Sequence, residues 1–414
     1  MPGKDIAVLG AGAVGVSIAL YLQRDGHRVT LIDRDEPGMG CSYGNAALIQ
    51  CSSVLPVAAP DVLRQVPKLL FDPDQPLVIR WRHLPTLIPF LLAFMRESRP
   101  SRYAANADAL AAIVPQSFDA YEPLIEAAGL QDLVRRKGEL QVFQSHDLFK
   151  ATAPGRRMRE ERGVKVELLG EGDLRAIEPA LAPDCRWGVM LPSSYQVSDP
   201  YRLVSGLARH FAAQGGTIAK AAVRDVLPLA GGGFRIDCEG AEFRAARVVV
   251  AMGAFSGPLT RRLGSRTPLN SERGYHAMLP EPGVGLDHTL ISADYRFAIA
   301  PVDGGIRLAG TAELARVGAP PNYDRARRLI PLAQKVLPGL KADNPSYWMG
   351  HRPSLPDSVP VIGPSPHHDG LYFAFGHGHS GLTLGGMTGR MIAGMVGARR
   401  SNLDLTPYSI TRFP

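Results

Sequence analysis

The pattern of apolar and polar positions changes character several times along the chain. Residues 6–9 form a short apolar run that stops at "GAGAVG"; from residue 13 to 24 apolar positions recur at helical spacing, and Gly26 ends them. "HRVTLID" follows as a second strand closed by Asp33. Recurrence at three and four residues predicts a helix, and short apolar runs bounded by turn residues predict buried strands. Residues 217–251 are different. Short alternating strands broken by "GGG" and "CEG" predict a meander, and residues 247–250 are a near-continuous apolar strand running into "AMGAFSGPL". "GELQVFQ" and "SERGYHAML" also read as strands. Near the C-terminus an apolar strand, "LYFAF", enters "GHGHSGLTLGG", and a helical pattern, "GMTGRMIAGMV", leaves it.

The first strand, turn and helix contain Gly10, Gly12 and Gly15 in G-x-G-x-x-G spacing. Gly10 permits the tight turn, Gly12 lets a pyrophosphate reach the backbone, and Gly15 lets helix and strand pack closely. Ala13 and Val14 open the helix, whose free N–H groups and partial positive charge suit phosphate. Asp33, with Arg34 after it, ends the second strand where a ribose diol would be bound. A structural glycine turn is the competing explanation. The complete strand–turn–helix–strand–acid series favours an adenine dinucleotide, and the acid argues against a 2′-phosphate. It does not separate FAD from NAD. The distant meander and second glycine-bearing strand, with Ala251 and Gly253, do favour a flavoprotein, since NAD dehydrogenases usually finish their domain contiguously.

Length and composition set bounds. A chain of 414 residues, 45% hydrophobic and 21% charged, can build a large core and suggests two domains. The net charge of +7 comes without a basic run or nucleic-acid motif, which excludes nucleic acid as the expected partner and leaves anionic small molecules or an anionic membrane surface. The four cysteines include no C-x-x-C pair and no zinc spacing, so no metal is expected, and a reducing, cytoplasmic setting fits them. Residues 6–22 follow Lys4 without a charge and could be scanned as a signal peptide; the glycine spacing and the strand after it fit a nucleotide turn better. No run is long enough for a spanning helix.

The chain resembles the FAD-dependent amino-acid oxidoreductases related to D-amino-acid oxidase, and within them the bacterial D-amino-acid dehydrogenases, with D-proline and D-hydroxyproline dehydrogenases as close relatives. The stretches that carry the resemblance are "VLGAGAVGVSIALYLQRDGHRVTLID", "CSYGNAALI", "RVVVAMGAFSGPL", "RFAIAPVDGGIRLAGTAEL", "HRPSLPDSVPVIGPSP" and "GLYFAFGHGHSGLTLGGMTGRMIAGMV". They span nearly the whole chain in the expected order. The resemblance implies an α/β protein: a Rossmann-type FAD-binding domain over 1–75, 198–265 and 345–414, interleaved with an α+β substrate domain over 76–197 and 266–344 that carries an antiparallel sheet.

It also implies a set of roles. Arg352 would grip a substrate carboxylate, where a planar, permanently charged fork is needed. Tyr275 and the pair Tyr295–Arg296 would lie on substrate-domain strands above the flavin, and alternation would let only one of that pair face the pocket. Ser42, Asn45 and Ala46 would lie near the flavin ring, and Val223 with the nucleotide. Gly378, His379, Ser380, Gly381, Leu382 and Thr383 would present backbone N–H groups to the pyrimidine edge of the flavin at a helix N-terminus. A metal at His377 and His379 is not expected, since they alternate and no further ligand lies close in sequence. Ser380 lacks the nucleophile elbow. FAD would be non-covalent, with Cys41 the one residue that could attach it.

The implied reaction is oxidation of a D-amino or D-imino acid by hydride transfer from Cα to flavin N5, with no side chain needed as a strong base. The implied acceptor is a quinone or electron-transfer partner. A glycine/sarcosine-type oxidase using O2 is the principal alternative; an NAD-linked dehydrogenase and a non-catalytic flavin subunit are two more. Residues 84–95, "LPTLIPFLLAFM", flanked by Arg80, Arg82, Arg96 and Arg99, read either as a buried helix or as a peripheral contact with the inner face of the membrane.

Overall fold

A computed structural model describes residues 3–60, 77–79 and 84–413, with side chains described outside 77–79 and 84–86. Arg80 and Arg82 lie outside the described residues.

The glycine-rich turn sits where the sequence predicts. Asp5–Leu9 forms the strand, Ala13–Arg24 the helix and Arg28–Asp33 the second strand. Arg24 ends the helix and Gly26 follows at φ +82°, a left-handed position that costs glycine little. These strands belong to a six-stranded sheet in the order 217–220, 28–33, 5–9, 247–250, 371–375, 361–364. All neighbours are parallel except the last pair. The apolar side chains of 247–250 and 371–375 are buried because helices or loops cover both sheet faces. Thr217–Lys220 joins this sheet; only Val223–Pro228, Phe234–Cys238 and Ala241–Ala245 form the antiparallel meander.

The Gly381–Val396 helix packs against the first helix. Small residues set the approach: a Cβ on Gly389 would lie 2.7 Å from the Ser17 carbonyl oxygen.

A nine-stranded, mostly antiparallel sheet forms the second layer system. Its centre is Asn270–Leu279, Phe297–Val302 and Gly305–Leu314, and Glu139–Phe143 and Trp187–Leu191 extend it. Ser346–Ser354 pairs along its length with Asn270–Leu279, so this stretch, allotted above to the nucleotide domain, hydrogen-bonds within the larger sheet. Leu140, Val142, Ile299, Leu308 and Val336 lie in this sheet's own core, separate from the core under the first helix. The fold is mixed α/β, as expected.

Candidate functional site

A cavity of about 1170 Å³ runs from the glycine-rich turn to the nine-stranded sheet. It exceeds a drug-sized pocket and has room for a dinucleotide with a small molecule beside it.

At the nucleotide end the three glycines separate by function. A Cβ on Gly10, at φ +107°, would lie 2.4 Å from the Ala251 oxygen, and one on Gly15 would lie 1.8 Å from the Gly10 oxygen. Both are required by packing. A Cβ on Gly12 would meet only Ser42 Oγ, at 3.6 Å, so its free space is cavity. Gly10, Gly12, Ala13 and Val14 line the cavity; Gly15 lies behind them. The N–H groups of Gly12 and Val14 have no acceptor among the described residues. Asp33 accepts from the Ala11 N–H at 2.6 Å and the Asp35 N–H at 3.0 Å, which holds the turn and leaves lone pairs on both oxygens. Arg34 stacks on the Phe255 ring, 3.9 Å from its centre, and Val223, Ala251 and Gly253 complete this end. This cradle, with free space at Gly12 and unpaired N–H donors at Gly12 and Val14 among the described residues, fits an adenine dinucleotide.

Ser42 lies against the glycine turn: its Oγ accepts from the Ala13 N–H at 3.0 Å. Asn45 and Ala46 line the cavity, and buried Asn45 Oδ1 has no partner among the described residues. Buried Arg307 holds this loop by donating to the Tyr43 and Asn45 carbonyls at 3.2 and 2.8 Å.

The C-terminal helix aims its N-terminus at the cavity. Gly378, at φ +55°, donates to the Pro353 carbonyl at 2.8 Å. Gly378, His379, Ser380, Gly381 and Leu382 line the wall, and the N–H groups of Gly381 and Leu382 have no acceptor among the described residues. Thr383 does not line it; its Oγ1 accepts from the Gln50 N–H at 2.9 Å. His377 is buried against Thr388 Oγ1 at 2.9 Å, and burial lowers its pKa to about 3. His276 and His351 are held near 4, again mainly by burial. His379 is exposed where it lines the cavity, with Nε2 3.4 Å from Ser53 Oγ, and partial desolvation lowers its proton affinity. Burial also pushes the Cys41 thiol up to about 12, which makes it a poor nucleophile.

At the far end, Arg352 stands directly opposite Glu272 on the paired strands. Its Nη1 donates to Glu272 Oε1 at 3.0 Å and to the Thr311 carbonyl at 2.9 Å. Ser354 Oγ holds the other Glu272 oxygen at 3.1 Å. A register shift in the ladder puts Thr311 at φ +57°, an unfavourable conformation for a β-branched residue, and turns its carbonyl to the arginine. Gly274 supplies the space: a Cβ there would lie 2.3 Å from Arg352 Cζ. Arg352 Nε and Nη2 remain without a partner among the described residues.

The other expected residues divide. The Tyr275 ring reaches the cavity, but its hydroxyl donates to Glu313 at 2.5 Å and accepts from the Asn322 N–H at 3.1 Å. Burial and Glu313 push it up to about 12. It is a structural group, tied to the buried Arg273–Glu313 pair at 3.1 Å. Tyr295 and Arg296 lie in the turn between Thr289–Ser292 and Phe297–Val302, so strand alternation does not govern them. The turn decides: Arg296, at φ +58°, lines the cavity, while Tyr295 packs on the large-sheet core with Lys335 Nζ 5.6 Å from its ring centre. Glu272, Gly274, Thr311, Gln50 and Gln141 line the cavity without having been singled out from sequence. The one available signal was "SERGYHAML", where alternation puts Glu272 and Gly274 on the face opposite Tyr275.

The sequence profile described as "FAD dependent oxidoreductase" matches residues 5–395. The chain belongs to that family. As a FAD-dependent oxidoreductase it is 36% identical over 419 residues to a D-amino-acid oxidase of Bradyrhizobium diazoefficiens, covering 99% of each chain. It is 32% identical to a D-amino acid dehydrogenase of Chromohalobacter salexigens, again over 99% of each. Among solved structures, glycine oxidase from Geobacillus kaustophilus superposes with a TM-score of 0.76 over the whole of both chains at 23% identity, a likeness of fold.

Proposed function

We propose that the protein oxidises a D-α-amino or D-imino acid, with D-proline and cis-4-hydroxy-D-proline as candidate substrates, and holds FAD non-covalently. The observation that carries this is the Arg352 guanidinium. It is fixed on one edge by Glu272 and Thr311, with Nε and Nη2 free in the same cavity as the glycine cradle.

That edge suits bidentate capture of a carboxylate, with Arg296 as a second cation in the wall. When bound, FAD supplies the two-electron acceptor for hydride leaving Cα. The free N–H groups of Gly381 and Leu382, with the dipole of their helix, offer positive potential to the charge that reduction leaves. Glu272 positions Arg352 and partly offsets its charge. The buried histidines stay neutral, so the substrate amine loses its protons to solvent and the imine product hydrolyses in water. The chain's part is placement and the exclusion of water.

We assign the electrons to a quinone-type acceptor, and the nucleotide and substrate domains to the segments given above, except that Ser346–Ser354 goes with the substrate domain, whose sheet it joins. The Leu84–Glu97 helix supports a peripheral membrane contact: Leu87 and Phe90 are buried, while Ile88, Leu92 and Met95 are exposed beside Arg96 and Arg99. No helix among the described residues is long and apolar enough to cross a bilayer. The second reading is an oxidase using O2, favoured by the name of the Bradyrhizobium relative.

The test is a D-amino-acid panel on the purified protein with a dye acceptor, alongside peroxide yield under air. Expected are a yellow protein, turnover of D- but not L-substrates, and less than stoichiometric peroxide. A colourless protein overturns the flavin assignment; stoichiometric peroxide selects the oxidase.

A further inference from the structure

A second polar cluster on the cavity wall takes no part in the scheme above. Gln50 follows the Leu48–Ile49 strand, and Gln141 lies in Glu139–Phe143; both line the cavity. Alternation sends 139, 141 and 143 to one face of that strand, while Leu140 and Val142 enter the large-sheet core. Glu139 is only 3% exposed. One of its carboxylate oxygens accepts from Gln50 Nε2 at 2.8 Å and the other from Gln141 Nε2 at 2.9 Å.

An ionised carboxylate only accepts, so both amides must turn Nε2 toward Glu139 and their carbonyl oxygens elsewhere. Neither oxygen has a partner among the described residues, and neither is among the buried atoms that lack one, so both keep accessible surface on residues that line the cavity. Gln50 is fixed a second time, through its N–H to Thr383 Oγ1 at 2.9 Å. Arg159 lies close enough that Glu139 partly offsets the cost of its desolvation. Apolar Phe143, Phe94 and Leu55 line the same cavity. Burying a carboxylate is costly unless it is hydrogen-bonded, and here the bonds it makes hold the two glutamine side chains in fixed orientation on the cavity wall.

We propose that Gln50 and Gln141 determine specificity for the substrate side chain, with Glu139 as a positioning residue. The acceptor pair takes a side chain carrying a hydrogen-bond donor, a hydroxyl or an N–H, and rejects a terminal carboxylate, which cannot donate. The inference rests on the proposed amino-acid oxidation.

The experiment compares kcat/KM within pairs that differ by one hydroxyl: cis-4-hydroxy-D-proline against D-proline, and D-threonine against D-valine. The wild type should favour the hydroxyl member of at least one pair by about tenfold, the upper range for one neutral hydrogen bond. Gln141→Leu and Gln50→Leu should each bring that ratio toward one while the apolar member changes less than about threefold. Glu139→Gln should lower the ratio, and Glu139→Asp should restore part of it. An unchanged ratio in all variants overturns the proposal. So does an equal loss for both members with flavin retained, which would place the glutamines at the shared α-amino group or in a purely structural role. If the wild type turns over no D-amino acid, the functional reading fails by itself. The acceptor pair is then read from binding, as shifts in flavin absorption on titration with L-proline and trans-4-hydroxy-L-proline: a hydroxyl preference that Gln141→Leu abolishes supports it, and equal affinities overturn it.

Discussion

At the scale of single residues the site is organised around Arg352, and the residues beside it are as informative as the arginine. Truncating a charged anchor costs roughly 2–5 kcal/mol, so Arg352→Ala should lower kcat/KM by roughly 30-fold or more, chiefly through KM. Arg352→Lys should recover only part, since an ammonium cannot present a fork. Unchanged kinetics in Arg352→Ala would remove it from the site. Gly274→Ala tests the geometry without removing a charge. The added methyl would occupy the place of the guanidinium, 2.3 Å from Cζ. KM should rise about tenfold for a stability loss of about 1–3 kcal/mol, as in overpacked sites. A variant that loses stability but binds substrate normally would show that the guanidinium can move aside at no cost to function. Tyr275→Phe should act mainly on stability, because the hydroxyl it removes serves Glu313 and the Asn322 N–H.

At the scale of elements, the strand–turn–helix of the N-terminus was legible because each of its residues answers to local chemistry. The spacing of the glycines, the helix start and the terminal Asp33 all follow from the chain itself. The structure adds a division among the glycines that spacing alone does not contain. Gly15→Ala presses on the Gly10 carbonyl and should lower the melting temperature with or without flavin. Gly12→Ala meets no protein atom closer than 3.6 Å, so its apoprotein should melt like the wild type while flavin retention falls. Scanning calorimetry with and without added FAD separates the two; equal effects on the apoproteins would show that Gly12 also serves packing. The Tyr295–Arg296 pair shows the opposite case. Alternation was the wrong rule there because both residues sit in a turn, and Arg296 faces the cavity through a left-handed backbone conformation that no sequence periodicity reports.

At the scale of the whole molecule, buried neutral histidines tie stability to pH. His276 and His377 hold values near 4 and 3, against an ordinary value near 6.5. Between those limits the unfolded chain binds more protons than the folded one, so stability rises with pH there and is lost on acidification from about 6.5 downward. At pH 5 each such histidine should cost about 2 kcal/mol relative to neutral pH. The urea midpoint should therefore fall between pH 7 and 5, and His377→Gln, which can keep a bond to Thr388, should flatten the fall. An identical pH dependence in that variant would remove His377 as a contributor. Partition of the protein onto anionic vesicles at low and high salt tests the Leu84–Glu97 face; Leu92→Ser should weaken it, and full solubility at low salt counts against any membrane contact.

Read alone, the chain yields through short-range chemistry the nucleotide turn and the strand and helix around "GHGHSGLTLGG", features written in residues close together. The FAD family, and Arg352 as the anchor worth testing, came instead from a resemblance carried by motifs spread over nearly the whole chain. Tertiary structure alone decided which atoms of those residues are free. Glu272 meets Arg352 because two strands far apart in sequence pair in one register, and the Thr311 carbonyl turns to it because that ladder carries a bulge. Glu139 meets Gln50 because the small Leu48–Ile49 strand comes to lie beside the large sheet. Registers, bulges and long-range hydrogen bonds are properties of pairs of segments, and no periodicity within either segment encodes them.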